Sequence, residues 1–133
     1  VYELLIDILR YLNEKPANPF SAYVKCQIEL ARLLGFQIST FPSEADDREK
    51  KMFSIENGTV AGNFSNSNNN IVYLDDSILD NFHILSKITF NESADICFEK
   101  SDEKIIINFF RKYFGFHLER KFSWKSLNLI NMF

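Results

Sequence analysis

Basic residues gather at the C-terminal end of the chain, where they alternate with aromatic residues. Residues 100–133 contain seven lysines and arginines against three acidic residues, a net charge of +4, whereas the first 99 residues carry −7. Lysine and arginine bind carboxylates and phosphates through charge-assisted hydrogen bonds. This distribution favours an anionic partner at the C-terminal end, with a solvated helix face as the alternative. The basic residues there are Lys100, Lys104, Arg111, Lys112, Arg120, Lys121 and Lys125.

Two further basic residues, Lys25 and Arg32, are seven positions apart in the segment PFSAYVKCQIELARLLGF. This segment has the apolar spacing of a helix, and residues seven apart lie on one side of a helix, two turns from each other. Apolar residues of the same helix flank both side chains. The pair is therefore a second candidate for binding an anionic ligand next to an apolar surface.

The sequence offers little support for catalysis. His83 and His117 lie in amphipathic helical patterns, where a half-buried histidine with a hydrogen-bond partner is the commoner case. Asp75 and Asp76 stand at the start of a predicted helix, and helix capping explains them. The four glycines form no phosphate-binding loop, and no Ser/His/Asp or Cys/His motif selects a nucleophile. We therefore predict that the protein is not an enzyme.

The two cysteines, Cys26 and Cys97, are far apart in the sequence and are predicted to be small, buried apolar residues in the reduced state. No CxxC pair suggests a zinc site. No apolar run approaches the roughly 20 residues of a membrane span, and no signal peptide is seen. We expect a cytoplasmic protein.

The helical part of the fold is predicted from apolar periodicity. The first 14 residues follow helical spacing, so the chain opens inside a helix and a preceding segment is expected. Asn18 is a suitable N-cap for the second helix, Pro19 suits its first position, and Gly35 is placed to end it. A third helix follows Asp75. A long fourth helix begins at Asp102 and is predicted to end near Leu118, with an apolar stripe from Ile105 onwards, before a short last helix from Ser123 or Trp124 to Met132.

A small β-hairpin is predicted between the second and third helices. MFSIENGTVAG alternates in the manner of strands around Asn57-Gly58, a strong hairpin-turn signal. IVYL, residues 71–74, fits either a short strand or an extended lead-in to the third helix. The fold class is therefore mostly α, a helical bundle-like domain over residues 1–133 with an inserted β-hairpin and loop at residues 52–74.

In this order, the segments resemble the C-terminal domain of RecO, a bacterial recombination mediator, and in particular members from the Bacteroidetes group. The resemblance covers nearly the whole chain. It has two departures: residues 40–74 lack the four cysteines with which many members bind zinc, and the family's N-terminal OB-fold domain is absent from this chain. The segments that carry it are ELARLLGF (Glu29–Phe36), MFSIENGTV (Met52–Val60), KITFNE (Lys87–Glu92) and RKYFGFHLERKFSWKSLNLINMF (Arg111–Phe133).

The resemblance implies a non-enzymatic DNA repair and recombination mediator without metal or cofactor. Such proteins bind single- and double-stranded DNA, dock the acidic C-terminal tail of single-strand-binding protein (SSB), join RecR and assist RecA loading. The implied location is cytoplasmic and nucleoid-associated, with no membrane partner. For the SSB tail, which ends in Pro-Phe, we expect an apolar pocket rimmed by Lys25, Arg32, Lys121, Lys125 and Ser126. For DNA phosphates we expect Lys104, Arg111, Lys112, Arg120, Lys121 and Lys125, with weak binding by this chain alone.

Two other functions stay open from the sequence. One is a helical protein-interaction domain with an unrelated partner, which recovery of a protein other than RecR or SSB would favour. The other is an enzyme, which a deep pocket around His83 or His117 would favour.

Within the C-terminal segment, residues 119–126 are predicted to contact partners, whereas Leu127, Ile130 and Phe133 are predicted to dock the last helix.

Overall fold

The computed structural model describes residues 2–14, 18–40, 50–60 and 70–131, without the side chains of residues 50, 51 and 121–131. Helices dominate this part of the chain, and a small sheet separates the second helix from the third, which confirms the predicted fold class. The helices are α1 (Tyr2–Asn13), α2 (Pro19–Leu34), α3 (Asp76–Lys87) and α4 (Lys100–Asn131), with a 3-10 turn at Glu92–Asp95. The strands are β1 (Lys50–Ser54), β2 (Thr59–Val60) and β3 (Ile71–Asp75).

Helix α2 begins and ends where its sequence predicts. Pro19 is its first residue, and Gly35 adopts the left-handed conformation at φ 94°, which satisfies carbonyls of the last turn. Asn18 stands at the N-cap position but does not cap with its side chain. Instead, its amide donates to Ser21 Oγ at 2.9 Å and to the Ile96 carbonyl at 2.5 Å. Asn18 therefore ties the start of α2 to the segment that leads into α4.

The sheet has three antiparallel strands in the order β2-β1-β3. The predicted hairpin is confirmed, with Gly58 at φ 69° in the turn. Strand β3 pairs with the other edge of β1 and extends the hairpin to three strands. Phe53 of β1 thus lies opposite both Val60 of β2 and Val72 of β3. Residues 71–74 are thus part of a strand rather than a lead-in.

The core is built largely from aromatic rings. Phe109, Phe110 and Tyr113 of α4 are at most 2% exposed and pack against Phe53 of β1 and Phe82 of α3. These rings meet mostly edge to face or tilted, the arrangements that ring quadrupoles favour. Much of the high phenylalanine content therefore forms the core of the domain. Ile105, by contrast, was predicted in the buried stripe but is 37% exposed, so the stripe begins one residue later at Ile106.

Helix α4 is continuous from Lys100 to Asn131, so the predicted break near Leu118 and the separate last helix are wrong. Residues 119–126 contain no proline or glycine, and their Glu, Arg and Lys residues are good helix formers. Gly115 lies inside the helix at an exposed position without ending it. The predicted docking residues Leu127, Ile130 and Phe133 lie outside the described side chains.

Helix α1 packs on α2 through Ile8 and Tyr11. Four other apolar residues of the helix are exposed: Tyr2, at 75%, Leu5, Leu9, at 54%, and Leu12. The helix itself was predicted correctly.

The cysteines are free thiols in different surroundings. Cys26 is half-buried, and burial raises the pKa of its thiol. Cys97 is exposed in the segment before α4, so its predicted burial is wrong. None of the helices in the described ranges combines the length and the apolarity needed to cross a bilayer.

Candidate functional site

A groove of about 860 Å³ opens between α1, α2 and residues 88–91. A volume of this order suits a small ligand or a few residues of a peptide. Its apolar lining comes from α1, α2 and residues 88–91, and its charged lining contains more acidic than basic residues. The apolar residues are Tyr2, Leu4, Tyr11, Leu33, Ile88 and Phe90, and the charged ones are Glu3, Asp7, Arg10, Glu14, Lys25, Glu29 and Arg32.

Lys25 lies at the bottom of this groove and is only 5% exposed. Its ammonium donates to the Leu85 carbonyl at 2.9 Å and lies 3.5 Å from Glu29 Oε1. It also lies 5.3 Å from the centroid of the Phe90 ring. The Leu85 carbonyl belongs to the last turn of α3, where carbonyls lack helical partners and a cation is stabilised by the helix dipole. Lys25 is therefore first a cap of α3, with limited capacity left for a ligand.

Arg32 is the accessible cation of the predicted pair. Its side chain is 54% exposed, and its Nε and Nη2 atoms donate to Glu29 Oε2 at 3.1 and 3.0 Å. Glu29 thus bonds Lys25 with one carboxylate oxygen and Arg32 with the other. The structure brings the two predicted cations together, but on a carboxylate of the same helix.

Tyr11 adds an unsatisfied polar group to the groove. Its side chain is buried at 6% exposure, and its hydroxyl has no hydrogen-bond partner within the described residues. Its ring packs 6.2 Å from that of Phe90. A buried hydroxyl without a partner is costly, so this group weakens the packing of α1 in the domain.

The basic residues of α4 form a separate surface. Lys104 and Arg111 are exposed and seven positions apart, so they lie on one side of the helix, with Lys112 about a quarter-turn away. Lys100 is also exposed on this side. Arg111 lies close enough to Tyr23 to act on its ionisation: burial raises the pKa of the Tyr23 hydroxyl, and the Arg111 charge opposes that rise. This surface faces away from the aromatic core.

Arg120 differs from the other predicted DNA-binding residues. Its Nη1 lies 3.3 Å from Glu56 Oε1 in the β1–β2 turn, and its guanidinium lies 5.9 Å from the Phe116 ring. It therefore links α4 to the hairpin. The remaining predicted site residues, Lys121, Lys125 and Ser126, have side chains outside the described part of the chain.

Both histidines are satisfied by backbone carbonyls, as predicted. His83 Nδ1 lies 3.0 Å from the Thr40 oxygen, and His117 Nε2 lies 2.6 Å from the Ile55 oxygen. The His117 ring also stacks on Phe36 at 4.9 Å between centroids. Neither histidine lines the groove. Across the described ranges, no group of three or more His, Cys, Asp or Glu residues could hold a metal ion.

Three residues of these surfaces were missed by the sequence analysis. Glu29 was discoverable, because it lies four positions after Lys25 and three before Arg32, the spacings that bring helical side chains together. Lys100 was counted in the charge balance but not assigned to DNA. Tyr11 carried no sequence signal, since its role depends on the packing of α1 against α2.

The structure is that of a small helical domain with an inserted three-stranded sheet, a groove of mixed charge between α1 and α2, and an exposed basic face on α4. A comparison with protein families is more specific: residues 1–126 match the family model described as "Recombination protein O C terminal", and the chain belongs to this family. Membership places it in DNA repair and recombination, in a family of mediators that are generally not enzymes. No curated protein and no solved structure was found to match the chain.

Proposed function

We propose that this domain acts in a recombination mediator of the RecO type, where it docks the acidic C-terminal tail of SSB and contacts DNA while RecA is loaded with RecR. The observation that carries the proposal is the family match over residues 1–126. The setting would be the cytoplasm, at the nucleoid.

The groove beside Arg32 suits a tail that ends in Pro-Phe. Such a ligand needs an apolar pocket for its ring, donors for its terminal carboxylate, and positive charge for its aspartates. Leu33, Ile88 and Phe90 supply the apolar surface, and Arg32 supplies a guanidinium at the rim.

The exposed basic face of α4 suits DNA. Lys104, Arg111 and Lys112 present cationic side chains to solvent on one helix, the arrangement that follows a phosphate backbone. Contacts of this kind are independent of sequence and lose affinity as salt rises. The net charge of −3 on the whole chain keeps this affinity low, and the charge of −7 on residues 1–99 favours α4 over the rest of the chain.

Binding of the tail can be tested by fluorescence anisotropy with a labelled, aspartate-rich peptide that ends in Pro-Phe with a free carboxylate. We expect saturable binding that weakens with salt, and a loss of about tenfold or more in the Arg32→Glu variant because a bidentate donor is replaced by a repelling charge. Lys87→Glu is the matched control, since Lys87 is exposed at the end of α3 and does not line the groove.

Two results would contradict the proposal. If the wild-type protein does not bind the peptide even at low salt, the tail is not a ligand of this domain. If Arg32→Glu and Lys87→Glu weaken binding equally, the effect is one of net charge, and the groove is not the docking site.

A further inference from the structure

We propose that Glu29 is a competing carboxylate that sets the affinity and the ligand specificity of the groove. It holds the Arg32 guanidinium in the unbound protein, so a ligand must present a carboxylate that replaces it there. This inference rests on the proposed docking of an acidic peptide and adds to it a selectivity for free carboxylates.

The geometry of Glu29 is that of a bound ligand. Arg32 donates to a single Glu29 oxygen through Nε and Nη2, at 3.1 and 3.0 Å. The second Glu29 oxygen lies 3.5 Å from the Lys25 ammonium. The side chain is 18% exposed, so this carboxylate lies largely inside the groove that it lines. A peptide carboxylate that entered the groove would seek the same donors.

Lys25 and Arg32 are held with different strength in the unbound protein. Lys25 is buried and also held by the Leu85 carbonyl, so it stays in place whether or not Glu29 remains bonded to it. Arg32 is 54% exposed and held here by Glu29, so its guanidinium can turn towards a ligand at little cost. The exchange therefore takes place at Arg32, while Lys25 keeps Glu29 in the groove.

The acidic residues that line the groove repel anionic ligands that compete with Glu29 for Arg32. Glu3, Asp7 and Glu14 line the groove together with Glu29, against three basic residues. A neutral ligand cannot replace the charge-assisted bond between Arg32 and Glu29, so it gains less from Arg32 than a carboxylate does. A ligand with a free terminal carboxylate gains a charge-assisted bond and separates Arg32 from its internal partner.

The test uses the labelled acidic peptide in two forms, with a free C-terminal carboxylate and with a C-terminal amide. Glu29→Gln removes the charge and keeps the shape, so Arg32 becomes available. We expect this variant to bind the free-acid peptide about two- to fivefold more tightly than wild type does, and to gain clearly less for the amide. Glu14→Gln is the control, because it removes the same charge from the same groove without a bond to Lys25 or Arg32 among the described contacts.

The outcomes separate the inference from the function on which it rests. If wild type binds the peptide but Glu29→Gln binds it no more tightly than Glu14→Gln does, the competition is refuted and docking stands. Weaker binding by Glu29→Gln would show that Glu29 positions the cations instead, which also refutes it. If no variant binds, both proposals fail. Thermal unfolding checks that each variant folds. Glu29→Asp has a shorter side chain that retracts from Arg32, so it should also tighten binding, by a smaller factor than Glu29→Gln does. It replaces Glu29→Gln in the test if that variant does not fold.

Discussion

The Tyr113 hydroxyl donates a 2.6 Å hydrogen bond to the carbonyl oxygen of Phe36, which lies 77 positions earlier in the chain. Tyr113 is fully buried in α4, and Phe36 is the second residue after α2. The same hydroxyl lies 3.3 Å from the Gln37 carbonyl. This contact fixes the exit of α2 against the helix that carries the proposed DNA-binding face.

We expect Tyr113→Phe to lower the free energy of unfolding by about 1–3 kcal/mol, because the partly buried Phe36 carbonyl loses its donor while the ring still fills the core. Urea unfolding monitored by circular dichroism measures the change. Tyr73→Phe is the control, since Tyr73 is 59% exposed on β3 and should change stability by less than about 0.5 kcal/mol. Equal stability of wild type and Tyr113→Phe would show that the bond contributes nothing net.

Alkaline pH should destabilise the protein through the same hydroxyl. Burial raises the pKa of Tyr113 well above 10.0, its ordinary value and that of the unfolded chain. Below pH 10 both states are protonated and the contribution to stability is complete. As the pH rises from there towards the folded pKa, the unfolded chain ionises first, and stability falls by up to about 1.4 kcal/mol per pH unit. Above pH 10 the free energy of unfolding should fall more steeply with pH in wild type than in Tyr113→Phe. Burial also raises the pKa of Tyr23, and that residue contributes equally to the pH dependence of both proteins.

Gly58 lies beside the contact between the Tyr113 hydroxyl and the carbonyls of Phe36 and Gln37, and only glycine fits there. Its φ is +69°, and a Cβ there would lie 2.8 Å from the Tyr113 hydroxyl and 2.9 Å from the Gln37 carbonyl oxygen. We expect Gly58→Ala to cost about 2–4 kcal/mol, from the left-handed backbone and the overlap together. Gly115→Ala is a matched control, because a Cβ there meets nothing within 4 Å. That substitution should stabilise α4 by up to about 1 kcal/mol, and equal effects at the two glycines would contradict this account.

Local signals predicted most of the fold, because each helix and turn carries them in adjacent residues. Pro19, Gly35 and the Asn57-Gly58 turn mark boundaries that the structure keeps. The prediction failed at residues 119–126, where the apolar pattern changes although the helix continues. Periodicity reports which face is buried, whereas the continuity of a helix depends on propensity and on the absence of breakers.

The candidate site was predicted only in part, since its chemistry depends on packing. Spacing placed Lys25 and Arg32 on one side of α2, and the structure agrees. Spacing did not show that Lys25 is buried and bonded to the end of α3. That contact joins residues 60 positions apart, so it follows from tertiary structure rather than from local sequence.

Lys25→Met should therefore act mainly on stability. The Leu85 carbonyl would lose its donor, while Glu29 would keep Arg32, and we expect a loss of about 2 kcal/mol. Arg32→Met should cost less than about 1 kcal/mol, because its ion pair is exposed. Thermal or urea unfolding compares the two variants. A Lys25→Met variant as stable as wild type would mean that Lys25 is available for ligands rather than engaged as a cap.

The basic face of α4 gives a prediction for DNA. Arg111→Glu should weaken binding to a labelled oligonucleotide and lower the slope of log affinity against log salt by about 1, since one phosphate contact is lost. Lys87→Glu changes the net charge by the same amount on another helix and should keep the slope. Arg120→Gln should have a smaller effect than Arg111→Gln, because Arg120 is paired with Glu56 of the β1–β2 turn. If Lys87→Glu lowers the slope as much as Arg111→Glu does, DNA binds through general charge attraction and α4 has no special part in it.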